Sequence, residues 1–371
     1  MSGHAAPAEP SATSFTPPYP PSWVDRLTAA VDRLPWPWWL SYLALGLAVF
    51  VTATLTQIAT GGYNPGRYLA FHVWSQSYFA YLLALLHALD RSAAGALQSF
   101  RPVLTFESAG QASDESFEDL AYRLTTLPPR PALLAAGLGG LLGTGLPLFF
   151  VQSQLPGSMM ARAAAQFGFS THPVVLVTVL VSGIFATAVV GVFVYHTIHQ
   201  LRLIDRIYRQ FTNVNLFQLP PLFSFSRTTA LTAAGLALYN YGWFGTAPGL
   251  IEQPVGLALG GFFLVVTLIT FFWPLYGAHR RLEFEKRRLL TQVSGRFESA
   301  AQQLHDGVDS GGLAGVDGIH KAMLALDLEQ SVLRRIPTWP WEPGTLRGML
   351  TAFMLPITIW LIQTALGQLL R

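Results

Sequence analysis

Histidines carry most of the chemistry this sequence offers. His87, His196, His199 and His279 fall where apolar stretches give way to cationic ones, and His72 and His172 fall toward the opposite ends. Neutral imidazoles facing each other across helices can ligate a haem or a metal. His72 and His87 would stand about 22 Å apart along one helix, a separation that suits two stacked haems. The outer partner would be His172, which precedes Pro173 and falls in a loop. Ordinary hydrogen-bonding histidines are therefore the expectation, with no metal or cofactor, and haem is the lesser alternative. The chain contains no Cys, which excludes thiol catalysis and Cys-ligated metals.

A second set of polar residues lies inside apolar stretches. His72, Gln76 and Asn240 form a candidate solute path, weighed against plain interhelical hydrogen bonding. None of these stretches contains Asp, Glu, Lys or Arg, which argues against a pump or carrier built on buried carboxylates. No glycine-rich phosphate loop, HExxH or nucleophile elbow appears, so no enzyme is expected. Arg280, Arg281, Arg287 and Arg288 directly follow an apolar stretch and are candidate contacts for anionic lipid; nucleic acid is not an expected partner.

The elements that must position these residues are set by composition. Only 12% of the 371 residues are charged and 51% are apolar, with a mean hydropathy of +0.39. Soluble domains carry roughly 25% charged residues, so this chain cannot cover its core in water. Seven stretches suffice to cross a bilayer: Pro37–Thr60, Tyr68–Leu89, Pro131–Val151, Pro173–Tyr195, Thr228–Ala247, Pro254–Tyr276 and Gly348–Leu370. Alternate sides of this arrangement carry 20 and 3 of the 23 Lys and Arg residues. By the positive-inside rule the N-terminus is cytoplasmic and the C-terminus outside.

The expected fold is all-α: a polytopic helical membrane protein of about seven spans with a cytoplasmic helical hairpin. Residues 1–35 read as a disordered Pro-rich tail. Residues 36–276 form a six-helix membrane body, 277–344 the hairpin, and 345–371 the last span. Within the body, helix continues past Leu89 to about Phe100, residues 117–127 form a short amphipathic helix, and the fourth span runs on to about Phe211. Residues 215–226 are too apolar for a solvated loop and either lie at the interface or re-enter the membrane. Gly139 and Gly143 form a small-residue packing pair.

In the hairpin, Leu282, Leu289, Val293 and Phe297 fall on one stripe and Met323 and Leu326 on another, joined by a Gly-rich turn. These six residues are the expected contacts to a second copy or a membrane-protein partner, and Asp317 is the expected cap of the second helix. Beside the bilayer itself, such a partner is the expected ligand of a non-enzymatic sensor or scaffold. A channel or facilitator is the alternative.

Three segments carry a resemblance: HTIHQLRLIDRIYRQFTNVNLFQLPPLFSFSRTTA, WPLYGAHRRLEFEKRRLL and RRIPTWPWEPGTLRGMLTAFMLPITIWLIQ. Together they resemble segments of uncharacterised multi-pass bacterial membrane proteins. The resemblance implies a bacterial plasma membrane and assigns no activity and no site residue. The preference for Arg over Lys, with abundant Ala and Gly, points to a GC-rich genome.

Overall fold

The computed structural model describes residues 15–60, 69–108, 111–112, 116–145, 173–212, 215–246, 254–311 and 315–341, with 344, 346–348, 350, 351, 354 and 358 beyond them. Their regular elements are helices apart from one two-residue antiparallel ladder, β1 (Glu107–Ser108) on β2 (Gln111–Ala112), and an isolated bridge between Leu104 and Thr212. The helices are α1 (Trp23–Asp32), α2 (Trp38–Ala59), α3 (Leu69–Phe100), α4 (Phe117–Thr125) and α5 (Pro129–Gly140). They continue with α6 (Pro173–Gln210), α7 (Leu219–Leu222), α8 (Ser224–Thr246), α9 (Pro254–Asp309) and α10 (Val316–Arg335).

Among the described residues three helical stretches are long and apolar enough to cross a membrane: Trp38–Ala59, Leu180–Gln210 and Gly260–Asp309. Their apolar side chains point outward. Leu43, Leu47 and Leu55 on α2 are each about 60% exposed, and Val177, Val181, Phe262 and Val265 repeat the pattern on α6 and α9. A contiguous apolar exterior of this kind marks contact with lipid or another protein. Of the last span only Gly348, Leu350, Thr351, Met354 and Thr358 are described, all of them helical, and His172 lies outside the described residues.

The first helix corrects the disordered tail over its described part, residues 15–35; residues 1–14 of that expectation lie outside the described residues. Ser22 Oγ accepts from the Asp25 amide at 3.4 Å, and Asp25 Oδ2 accepts from the Ser22 amide at 2.8 Å. This capping box satisfies two amides that the helix start would otherwise orphan. Val24 and Val31 on the inner face are then buried.

At the centre stands α3, with α2, α6 and α8 packed around it. It ends at Phe100, where Pro102 permits only a single 3₁₀ turn, Arg101–Val103. The α5–α6 crossing is exceptionally close. A Cβ at Gly139 would lie 2.3 Å from the Thr187 carbonyl oxygen, and one at Gly191 would lie 2.1 Å from that of Ala135. Gly143 packs on Thr187 in the same way. The Gly139-x-x-x-Gly143 pair thus meets a third glycine, Gly191, that sequence spacing does not reveal. Beyond α5 the chain widens into a π-helical turn, Leu141–Gly145.

Residues 215–226 fold onto the core at the cationic end of the helices. Leu216, Leu222 and Phe225 are buried there, and Tyr208 Oη donates to the Leu222 carbonyl at 2.6 Å. The longest element is α9, whose 56 residues extend about 84 Å. It runs unbroken through Pro274 and projects well past a hydrocarbon layer about 30 Å thick. Gly311 and Gly315, both with positive φ, reverse the chain into α10, which packs back along α9. Gly315 occupies the N-cap of α10, and Asp317 pairs with Lys321 at 2.7 Å instead of capping.

The α5–α6 crossing predicts that Gly139→Leu and Gly191→Leu each destabilise the fold. Overpacking of this kind costs about 1–3 kcal/mol. A Cβ at Gly137 meets open space, so Gly137→Ala should be neutral. Size-exclusion profiles of detergent-extracted protein after a heat challenge measure the difference.

Candidate functional site

The helix end α4 sets the chemistry of the most polar interior region. Its last carbonyls have no partner within the helix, and Leu120, Leu124 and Leu127 bury this stretch of chain. Side chains from two other elements supply the missing partners. His199 Nε2 donates to the Arg123 carbonyl at 3.0 Å, and Gln200 Nε2 to that of Leu124 at 3.3 Å. A carbonyl only accepts, so Nε2 carries the His199 hydrogen. From the other side, Tyr19 Oη donates to the Thr126 carbonyl at 2.8 Å. Asp25 Oδ2 accepts the Leu127 amide at 3.0 Å. Asp25 therefore caps its own helix and ties that helix to the α4–α5 corner.

Two His–carboxylate pairs extend this layer. His196 Nε2 lies 2.7 Å from Asp90 Oδ1, joining α6 to α3, and Gln200 Nε2 reaches the same oxygen at 3.3 Å. His87 Nδ1 lies 3.0 Å from the Tyr42 hydroxyl, and its Nε2 lies 3.2 Å from Asp32, off the direction of a hydrogen bond. Trp38 packs against the His87 ring, and Arg91 completes the group with a 2.9 Å bond to Asp32. His87 and His196 are buried. In this setting a removed partner would leave a stranded polar group, at a cost of about 1–3 kcal/mol.

The fold thus brings together three of the four histidines that sequence placed at cationic ends. The partners that explain them, Asp32, Asp90 and the Arg123 carbonyl, lie apart in sequence, and Asp32 falls in the segment expected to be disordered. The local sign was present: Ser22-x-x-Asp25 with Val24, Leu27 and Val31 at helical spacing. His279 stands elsewhere. Its ring stacks on Trp339 at 4.1 Å and 7°, and Trp339 stacks on Trp341 at 4.6 Å. Among the described residues no group of three or more His, Asp or Glu residues is arranged to hold a metal ion.

The three residues of the candidate solute path sit on α3 and α8. His72 Nε2 lies 3.1 Å from Thr54 on α2 and the ring packs on Phe50. Gln76 and Asn240 are half-buried on α3 and α8, where Trp74, Tyr78, Tyr239 and Trp243 fill the contact with aromatic rings.

The expected partner contacts are corrected as well. Leu282 and Val293 are buried within the chain, and Leu289 and Leu326 pack onto the same core. Met323 is half-buried and only Phe297 is exposed. The two apolar stripes close on each other and on the body, so Leu282 and Val293 are not available to a second molecule. Lys286 seals the seam by donating to the carbonyls of Arg334 at 2.8 Å and Ile336 at 2.7 Å.

Three of the four expected lipid contacts also have partners within the chain. Arg287 pairs with Glu283 and Arg288 with Glu285, each at 2.5 Å. Arg281 donates to the carbonyls of Thr212, at 3.0 Å, and Arg209. Arg280 is exposed.

Comparison with known protein families, with curated proteins and with solved structures finds no match.

Asp25 offers a test of the layer. Burial raises its pKa above the ordinary aspartate value, against the opposing bonds from Ser22 and Leu127. Between the unfolded and folded values the folded chain binds more protons, so its stability falls as pH rises through that window. Asp25→Asn removes this dependence, so it should gain on the wild type as pH rises from about 4 toward neutrality. Asp25→Ala should lie about 1–2 kcal/mol below Asp25→Asn at every pH, because cap and tether both disappear. Thermal unfolding midpoints across that pH range measure both effects.

Proposed function

We propose that the chain is a non-enzymatic integral membrane scaffold of about seven spans. It would sit in a bacterial plasma membrane with its N-terminus in the cytoplasm and its C-terminus outside. Its hairpin would be the platform on which a second copy of the chain docks. The distribution of cations, the outward apolar surfaces and the three long apolar helices support the membrane reading.

One observation carries the scaffold reading. With the inward stripe of α10 closed on α9, a second row remains on its outer face: Leu324, Leu328 and Val332, with exposures of 56%, 66% and 44%. The spacing of four places them on one helical face. α9 holds this row at a set distance from the membrane. Two copies in one bilayer share orientation and height, so their rows meet side by side and bury each other. The surface is self-complementary, as a two-fold interface requires.

The absence of native Cys makes the test direct. In native membranes, Leu324→Cys, Leu328→Cys or Val332→Cys should give a disulfide-linked dimer on mild oxidation. Disulfides form when Cα atoms come within about 7 Å. Val293→Cys, enclosed within the chain, should remain monomeric. Monomers at all three outward positions would overturn the reading.

A further inference from the structure

A groove of ≈ 1020 Å³ runs between α3 and α8 at the cationic end of the helices. Two contacts set the register of its walls. Tyr81 Oη donates to the Gly235 carbonyl at 2.7 Å, and Ser92 Oγ lies 2.9 Å from Thr228 Oγ1. The helices are therefore antiparallel, with residue 92 level with residue 228. Arg91 precedes one member of the hydroxyl bridge and Arg227 the other, and both arginines line the groove. Arg91 and Arg227 thus stand at about one level on opposite walls of the groove.

The groove changes character along its length. Ser99 and Ser224 line it on the side of the cationic segments, whereas Leu231 and Ala234 line it toward the apolar body. From Ala88 to Ser99 it extends about 16 Å along α3. Arg91 gives one of its bonds to Asp32 and its side chain stays 56% exposed. A guanidinium has five donors, so others remain for a ligand. Arg227 is exposed. Fork-shaped donors on both sides match the oxygens of a phosphate.

We infer that this groove binds an anionic phospholipid, whose phosphate and headgroup lie between Arg91 and Arg227 and whose acyl chains leave along Leu231 and Ala234. The polar-to-apolar gradient selects an amphiphile over a free anion, and the paired charges select an anionic one over a zwitterionic one. The site differs from the Arg280–Arg288 cluster, whose cations are largely paired with carboxylates and carbonyls of the chain itself. The inference rests on membrane embedding and is independent of the dimer.

The experiment is native mass spectrometry of the full chain, extracted in mild detergent and offered equal amounts of phosphatidylglycerol and phosphatidylcholine. Wild type should retain phosphatidylglycerol preferentially. Arg91→Gln/Arg227→Gln should reduce that retention about tenfold or more, since each charge near a headgroup is worth about a factor of five. Arg227→Gln alone, at an exposed position, should lose a substantial part of it with an unchanged size-exclusion profile. Arg280→Gln/Arg287→Gln should retain the wild-type preference. Equal retention of the two lipids, unchanged retention in the double variant, loss only in the Arg280/Arg287 variant, or displacement by inorganic phosphate would each overturn the assignment.

Discussion

Between the end of α4 and the start of α5 the main chain passes through the interior, and its polar groups must find partners there. Leu120, Leu124 and Leu127 bury one side of this corner. Tyr19 and Asp25 from the α1 side, and His199 and Gln200 from α6, satisfy this requirement. The arrangement of the cationic end follows. α1 must dock where Asp25 reaches the Leu127 amide, and α6 must present the face that also carries His196. That face then meets Asp90 on α3.

A different constraint governs the apolar end of the same helices. There the helices associate through close packing. The Gly139–Gly191 crossing brings backbones together where any side chain would collide with a carbonyl. On the other flank of α3, Trp74, Tyr78, Tyr239 and Trp243 fill the contact with α8. Small residues and large rings thus join α3, α5, α6 and α8 by two opposite means, while the outward apolar chains stay available to lipid.

The hairpin joins these two regimes. α9 extends from the apolar body into the cationic region without interruption. The return of the chain after α10 is held by the stack of His279, Trp339 and Trp341, and by Trp341 on Phe271. Lys286 occupies the last carbonyls of α10. With both ends of the seam fastened, α10 has one defined outer face.

Local patterns alone specified much of this. Hydropathy and the spacing of apolar residues placed most helical segments and two helix extensions, to about Phe100 and about Phe211, which end at Phe100 and Gln210. Pro102 and the glycines after Asp309 marked two of the stops. These features depend on neighbours within a few residues, which sequence displays directly. Ser22-x-x-Asp25 also stood in view, and its meaning was hidden only because prolines before it suggested disorder.

Tertiary structure decided the partners. Asp90 and His196 are 106 residues apart, and Asp25 and Leu127 are 102 apart. No periodicity links such pairs, because their bond exists only once helices α1, α3, α4 and α6 are packed. The same holds for faces and charges. Two apolar rows on α10 read alike in sequence, yet only packing against α9 determined that Met323 and Leu326 turn inward while Leu324 and Leu328 stay out. A row of arginines after an apolar stretch reads as lipid-facing, and only the folded chain showed carboxylates and carbonyls already holding three of them. Spacing along a helix defines which residues share a face. What that face meets is a property of the assembled helices.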